Sequence, residues 1–125
     1  MPTLCELLHI PSPKNIDDIS ILPEILGKKQ TQQHSYLYWE YPEYGGQVAV
    51  RIDNWKGLIL NINKENMQWQ LFDLDKDIQE QHDVAAQHTD IIKQMDAIVR
   101  KEHHTPEVST FLMPALEKQY GNKEN

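Results

Sequence analysis

HSYLYWEYPEYGGQVAVRIDNWKGLILNI, residues 34–62, holds two of the chain's three tryptophans and four of its five tyrosines. Its side chains alternate. Over Ser35–Tyr41, Leu37, Trp39 and Tyr41 fall on one face of an extended segment, and Tyr36, Tyr38 and Glu40 on the other. PEYGG, residues 42–46, reads as a connection: its proline lacks a donor and its two glycines can take positive φ. Alternation resumes over Gln47–Ile52 through Val48, Val50 and Ile52. Asp53 and Asn54 suit a two-residue hairpin turn, because both tolerate the left-handed region better than most residues. Trp55–Ile62 is a third strand, with Leu58, Leu60 and Ile62 on one face. After the polar loop NKENMQ, Trp69–Leu74 makes a fourth. Trp39, Trp55 and Trp69 are expected to pack on the resulting sheet.

The flanks read as helices. Thr3–His9 places Leu4, Leu7 and Leu8 at helical spacing behind Pro2, and IPSPKN ends it. DDISILPEILGK, residues 17–28, offers a second short helix with Gly27 as its stop. From Thr89 to His103, Ile91, Ile92, Met95, Ile98 and Val99 recur at the spacing of an amphipathic helix. The predicted fold class is α+β: a four-stranded antiparallel sheet packed on this C-terminal helix, with short N-terminal helices. Three segments follow: a helical stretch and linker over 1–33, a sheet-plus-helix subdomain over 34–104, and a tail over 105–125. The tail holds Phe111, Leu112 and Met113, and its polar end, Gly121–Asn125, is expected to be mobile.

Composition narrows the function. A chain of 125 residues with 39% hydrophobic and 25% charged residues suits one globular domain. Its net charge of −7 opposes a nucleic-acid partner, which needs clustered Lys and Arg. No apolar run is long enough to span a bilayer, and the opening MPTLCELLHI has no basic region of a signal peptide. The single cysteine, Cys5, cannot form an intrachain disulfide. Set among leucines beside Glu6, it reads as a buried structural thiol and not a nucleophile.

Metal and catalytic signals are weak. DLDKD, residues 73–77, spaces carboxylates like the start of a calcium loop, but its sixth position is Ile78 where glycine is needed and its twelfth is Val84 where a glutamate is needed. Asp77 and Glu80 are instead expected to form a capping box on a helical turn. His9, His34, His82, His88, His103 and His104 make no zinc pattern, and His103 and His104 are expected to be solvated. Glu40 and Glu43 flank the PEYGG connection. For glycoside acid–base work the plainer reading is preferred, with Glu40 on a solvent face and Glu43 at a loop tip, though an aromatic loop with polar tips suits a carbohydrate rim.

Three blocks carry a family likeness. MPTLCELLHIPSPKNIDDISILPEILGK, then YLYWEY with GGQVAVRIDNWKGLIL, then LFDLDKDIQEQHDVAAQHTDIIKQM together resemble the C-terminal end of the sulfatase family, arylsulfatase-like enzymes acting on sulfate esters. The likeness runs in order from Met1 to about Arg100. Asp18 and Asp53 stand where that family usually has glycine, Phe72 where it has tyrosine, Ile78 where it has proline and Asp83 where it has asparagine. Pro42 follows WEY where some relatives carry a histidine near the substrate.

The resemblance implies a small antiparallel subdomain appended to a large α/β catalytic domain. In that family the nucleophile is a formylglycine made within C/S-x-P-x-R, beside a calcium ion. Cys5 has neither the proline nor the arginine, so no catalytic residue and no metal ligand is assigned in this chain, and calcium is expected in the missing catalytic domain. The chain alone is then expected to be inactive. Glu40, Glu43, Tyr44 and Gln47 are implied to lie nearest a sulfated sugar. The implied partners are the missing N-terminal sulfatase domain, or a second copy through the same docking face, and a sulfated glycan. A periplasmic or secreted parent fits this reading. The alternative is a stand-alone, non-catalytic module that binds protein or glycan. A self-contained small enzyme is disfavoured, because no nucleophile–base pair is visible.

Overall fold

A computed structural model describes residues 1–121, which divide into two compact units, the first Met1–Ser35 and the second beginning at Tyr36. In the first, helix α1 spans Pro2–Leu7 and helix α2 spans Leu22–Ile25. Pro2 enters the first turn of α1, where its missing N–H leaves no bond unmade. α2 ends as Gly27 predicts. Gly27 sits at φ +67°, its N–H bonds Glu24 O and the Lys28 N–H bonds Pro23 O, the paired closure of a left-handed helix stop. Thr3 Oγ1 accepts the Ile21 N–H at 3.1 Å, tying the two helices together. Only Pro2, Cys5 and Leu22 are buried here, so the leucine stripe expected on the first helix faces outward.

The second unit contains the sheet. Strands β1 (Leu37–Tyr41), β2 (Gln47–Ile52), β3 (Trp55–Leu60) and β4 (Trp69–Asp73) pair antiparallel in the order β1-β2-β3-β4. Ile52 pairs with Trp55 across the hairpin turn, where Asp53 takes φ +51°. That conformation is cheapest for glycine, which accounts for the family's usual residue there. Helix α3 (Thr89–Glu102) lies on one face, with Met95 and Val99 fully buried. Gly57 makes this approach possible, because a Cβ there would collide with the Met95 sulfur.

Three expectations need correction. First, the core face of β3 carries Gly57 and Ile59, while Leu58 and Leu60 point the other way. Ile62 does reach the core, because Asn61 at φ +60° breaks the alternation and starts a 3₁₀ turn over Ile62–Lys64. Second, no helix follows Asp77. Its carboxylate instead accepts the N–H groups of Gln81 and His82 in an irregular turn, and Glu80, at φ +56°, pairs with Lys56 at 2.6 Å.

Third, residues 105–121 are part of this unit. Helix α4 spans Pro114–Tyr120 and buries Met113, Leu116 and Tyr120 in the core formed by Val48, Val50, Ile59 and Leu71. Apart from Gly121, the polar end expected to be mobile lies outside the described residues. Asp83 closes the β4 edge, its carboxylate accepting the N–H groups of Leu71 and Ala85. A carbonyl oxygen does the same work, so asparagine and aspartate are equivalent acceptors there.

Candidate functional site

β1 forms one edge of the sheet, and its outward face is aromatic. Trp39 is 50% exposed, so it is not the packed residue the sequence leads one to expect. Trp55 and Trp69 are partly buried: the Trp55 ring lies 4.6 Å from that of His88, and Trp69 donates its indole N–H to Asp96 at 2.9 Å. Tyr41 continues the outward row of β1. Its ring stacks on that of Tyr44 at 6.1 Å and 15°, and its hydroxyl donates to Glu43 at 3.1 Å. That bond, before any burial, holds the Tyr41 phenol above its ordinary range, so it stays a donor. Gln47 stands opposite Tyr41 in the register.

The loop carrying these groups is held open by its backbone. Tyr44, Gly45 and Gly46 all take positive φ, at 49°, 90° and 77°. Gly45 O accepts from Asn63 N at 2.9 Å and Gly46 O from Ile62 N at 3.1 Å. A Cβ at Gly46 would come within 3.0 Å of the Met113 sulfur and of Asn63 Oδ1, so the loop rests directly on the approach to α4. The conformation lifts Tyr44 into solvent, 82% exposed.

Of the four residues implied to lie near a sugar, the structure gathers Glu43, Tyr44 and Gln47 around Tyr41. Glu40 points to the opposite face. Far from being a solvent-face residue, it turns inward, where Tyr38 donates a hydroxyl to it and His103 Nδ1 lies 2.7 Å away. His103 itself is 2% exposed, not solvated. Tyr41, the organising residue of the loop, shows in the sequence only as one more aromatic of the strand.

A second cleft, beside Trp55, is lined by Asp73, Lys76, Asp77, His82 and His88. Its lysine, Lys76, is already paired with Asp73 at 2.9 Å, and His82 Nδ1 lies 3.5 Å from Asp77. Asp73 is held below the ordinary carboxylate range, first by Lys76 and then by the Asn54 amide at 2.6 Å. Donors thus occupy the carboxylate that opens DLDKD. Among the described residues no group of three His, Cys, Asp or Glu side chains is arranged to hold a metal ion. No described helix is long and apolar enough to cross a membrane.

The sheet and its covering helix are those of a sulfatase C-terminal domain. Residues 1–105 match the family described as N-sulphoglucosamine sulphohydrolase, C-terminal, and the chain belongs to that family. It is similar to arylsulfatase K of Gallus gallus, at 27% identity over 95% of this chain and 24% of the relative. The arylsulfatase K of Danio rerio is 29% identical over 86% of this chain and 22% of that protein. Among solved structures, a 2-O GAG sulfatase superposes with a TM-score of 0.66 at 28% identity, over 80% of this chain and 22% of that one. The chain therefore spans about a quarter of the length of these relatives.

Proposed function

We propose that this chain is the C-terminal part of a sulfatase that hydrolyses sulfate esters of carbohydrates, and that its 42–46 loop forms one rim of the substrate cleft. The family match carries the first half of this reading, and the likeness to a 2-O GAG sulfatase supports the carbohydrate. The sulfate-cleaving centre, with its formylglycine and calcium, is then supplied by sequence outside these 125 residues. The residues present do not fit a calcium site: Asp73 faces Lys76, Asn54 and the Asp75 N–H, and Asp77 faces two backbone N–H groups. On this reading the chain by itself should release no sulfate.

The chemistry of the loop assigns it a share of recognition. The stacked Tyr41 and Tyr44 rings offer an apolar platform to the C–H face of a sugar. Glu43 and Gln47 supply hydroxyl partners beside it. A carboxylate repels sulfate, so this rim reads the sugar's hydroxyls and leaves the sulfate to cationic groups of the catalytic domain. Glu40, engaged by Tyr38 and His103, supports the strand from behind. Docking to that domain is supported by the N-terminal unit, which exposes Leu4, Leu7, Leu8, Ile21, Ile25 and Leu26.

The test is sulfate release by the natural full-length protein from a panel of sulfated glycans. Release is expected, and Tyr44→Ala should raise KM about 3- to 10-fold with kcat unchanged, as for a lost binding contact. No release from any glycan would sink the assignment. An unchanged KM in the variant would remove the loop from the cleft.

A further inference from the structure

His103 ends α3 and begins the passage to α4. Its N–H closes the last turn on Val99 O at 2.8 Å, and its own φ and ψ of −66° and 127° leave the helix. The ring is driven inward between two carboxylates. Nδ1 lies 2.7 Å from Glu40 on β1, and Nε2 lies 2.9 Å from Glu117 on α4. A neutral imidazole has one N–H and one lone pair, and an ionised carboxylate can only accept. Both contacts are hydrogen bonds only if the ring carries both protons.

Each carboxylate also accepts a hydroxyl. Tyr38 donates its hydroxyl to Glu40, and Thr105 donates to the second oxygen of Glu117 at 2.8 Å. Tyr38 remains a donor because burial first, and then its bond to Glu40, push its phenol well above the ordinary range. Other charges nearby are engaged elsewhere. Glu102 takes Tyr36 at 2.5 Å and Lys101 at 3.1 Å, Asp96 takes Trp69 and Tyr120, and Arg100 lies over the Tyr120 ring; His104, next in the chain, is exposed. His103 alone stands between Glu40 and Glu117.

We infer that His103 is a proton-operated clamp that fastens α4, and through it the 42–46 loop, to the sheet. α4 has seven residues, too few to be a stable helix without tertiary contacts. Its anchors are the buried Met113, Leu116 and Tyr120 and this bridge, and Met113 is also the residue on which Gly46 rests. With the ring charged, β1, the end of α3 and α4 are joined through one buried imidazolium. When the proton leaves, one carboxylate faces a lone pair and the cluster holds two uncompensated negative charges. The sign follows: the clamp stabilises α4 on the acid side and is lost as pH rises. This inference stands on the packing of this unit alone and does not depend on the proposed substrate.

Amide hydrogen exchange of the intact protein, corrected for intrinsic rates, reads it from about pH 5 to about pH 8, the range over which histidine ordinarily changes charge. Protection over 114–120 and 42–46 should fall with rising pH, by at most about tenfold per pH unit for one proton, while β2 and β3 hold. Glu117→Gln should keep α4 docked and flatten this response, because its amide can donate to the lone pair of a neutral ring. Protection of α4 that does not change with pH, or an undiminished response in Glu117→Gln, would overturn the clamp. If the variant does not fold, ¹⁵N spectra of the His103 ring in the wild-type protein decide. Two protonated nitrogens on the acid side, becoming one on the alkaline side, support it; a single neutral tautomer throughout overturns it.

Discussion

The two units of this chain use apolar side chains in opposite ways. In the sheet unit, Val48, Val50, Ile59, Leu71, Met95 and Leu116 are sealed completely between the sheet and its helices. In the N-terminal unit, leucines and isoleucines of similar number stand in solvent, and the turns between them are fixed by backbone and hydroxyl bonds. One set makes a core. The other is an exposed apolar surface, held in shape by capping and not by burial. Hydrophobic content alone does not separate them; what separates them is whether an extended or helical partner lies opposite in the same unit.

The largest expected effect is on the sealed side. Ile59→Ala removes a fully buried side chain near the end of β3, between Val48 of β2 and Trp69 of β4. Such truncations cost about 2–5 kcal/mol, the loss of transfer energy plus the cavity left behind. Urea unfolding followed by tryptophan fluorescence should show that loss as a lower midpoint with an unchanged slope. A loss below about 0.5 kcal/mol, the size usual for surface positions, would erase the contrast between the units.

A smaller effect separates packing from charge in the same unit. Asp73 is held below its ordinary range by Lys76 first and Asn54 second. A depressed carboxylate adds stability above its unfolded value and loses it as pH falls through the folded one. Lys76→Ala should therefore lower stability at neutral pH, slightly because Lys76 itself is exposed, and so bring the onset of acid unfolding to a higher pH, with the difference vanishing once Asp73 is protonated. Acid unfolding followed by circular dichroism tests it, and an unmoved onset would mean that the Asn54 amide alone sets the behaviour of Asp73.

Much of the sheet was legible in advance because strand periodicity is local. β2 falls where Val48 and Val50 alternate, and Asp53 marks the hairpin because few other residues accept its φ. The core face of β3 was misread because Leu58, Leu60 and Ile62 look like one stripe, and the left-handed Asn61 that breaks it carries no pattern of its own. α4 was missed because seven residues show barely two turns; Pro114 at its first position, with Leu116 and Tyr120 four apart, was the available signal. Of the site, the PEYGG loop was visible as glycine and aromatic chemistry. The Glu40–His103–Glu117 bridge was not, because it joins residues 63 and 14 positions apart and depends on α4 being docked.

The smallest stability change belongs to the N-terminal unit, and it bears most directly on what the exposed side chains are for. Leu4, Leu7 and Leu8 are all more than half exposed, so replacing the three with glutamine removes little buried area. Each change should alter unfolding stability by no more than about 0.5 kcal/mol. Association should respond more than stability does, because an exposed apolar patch binds whatever covers it. A surface made for docking predicts that the wild-type chain self-associates or takes up a hydrophobic dye, and that the triple variant does both less at unchanged midpoint. A native free-standing module predicts neither behaviour in the wild type. Sedimentation and dye fluorescence on the same two samples decide between these readings. If the triple variant instead unfolds at much lower urea, the leucines are structural, and the contrast between the units is one of degree and not of kind.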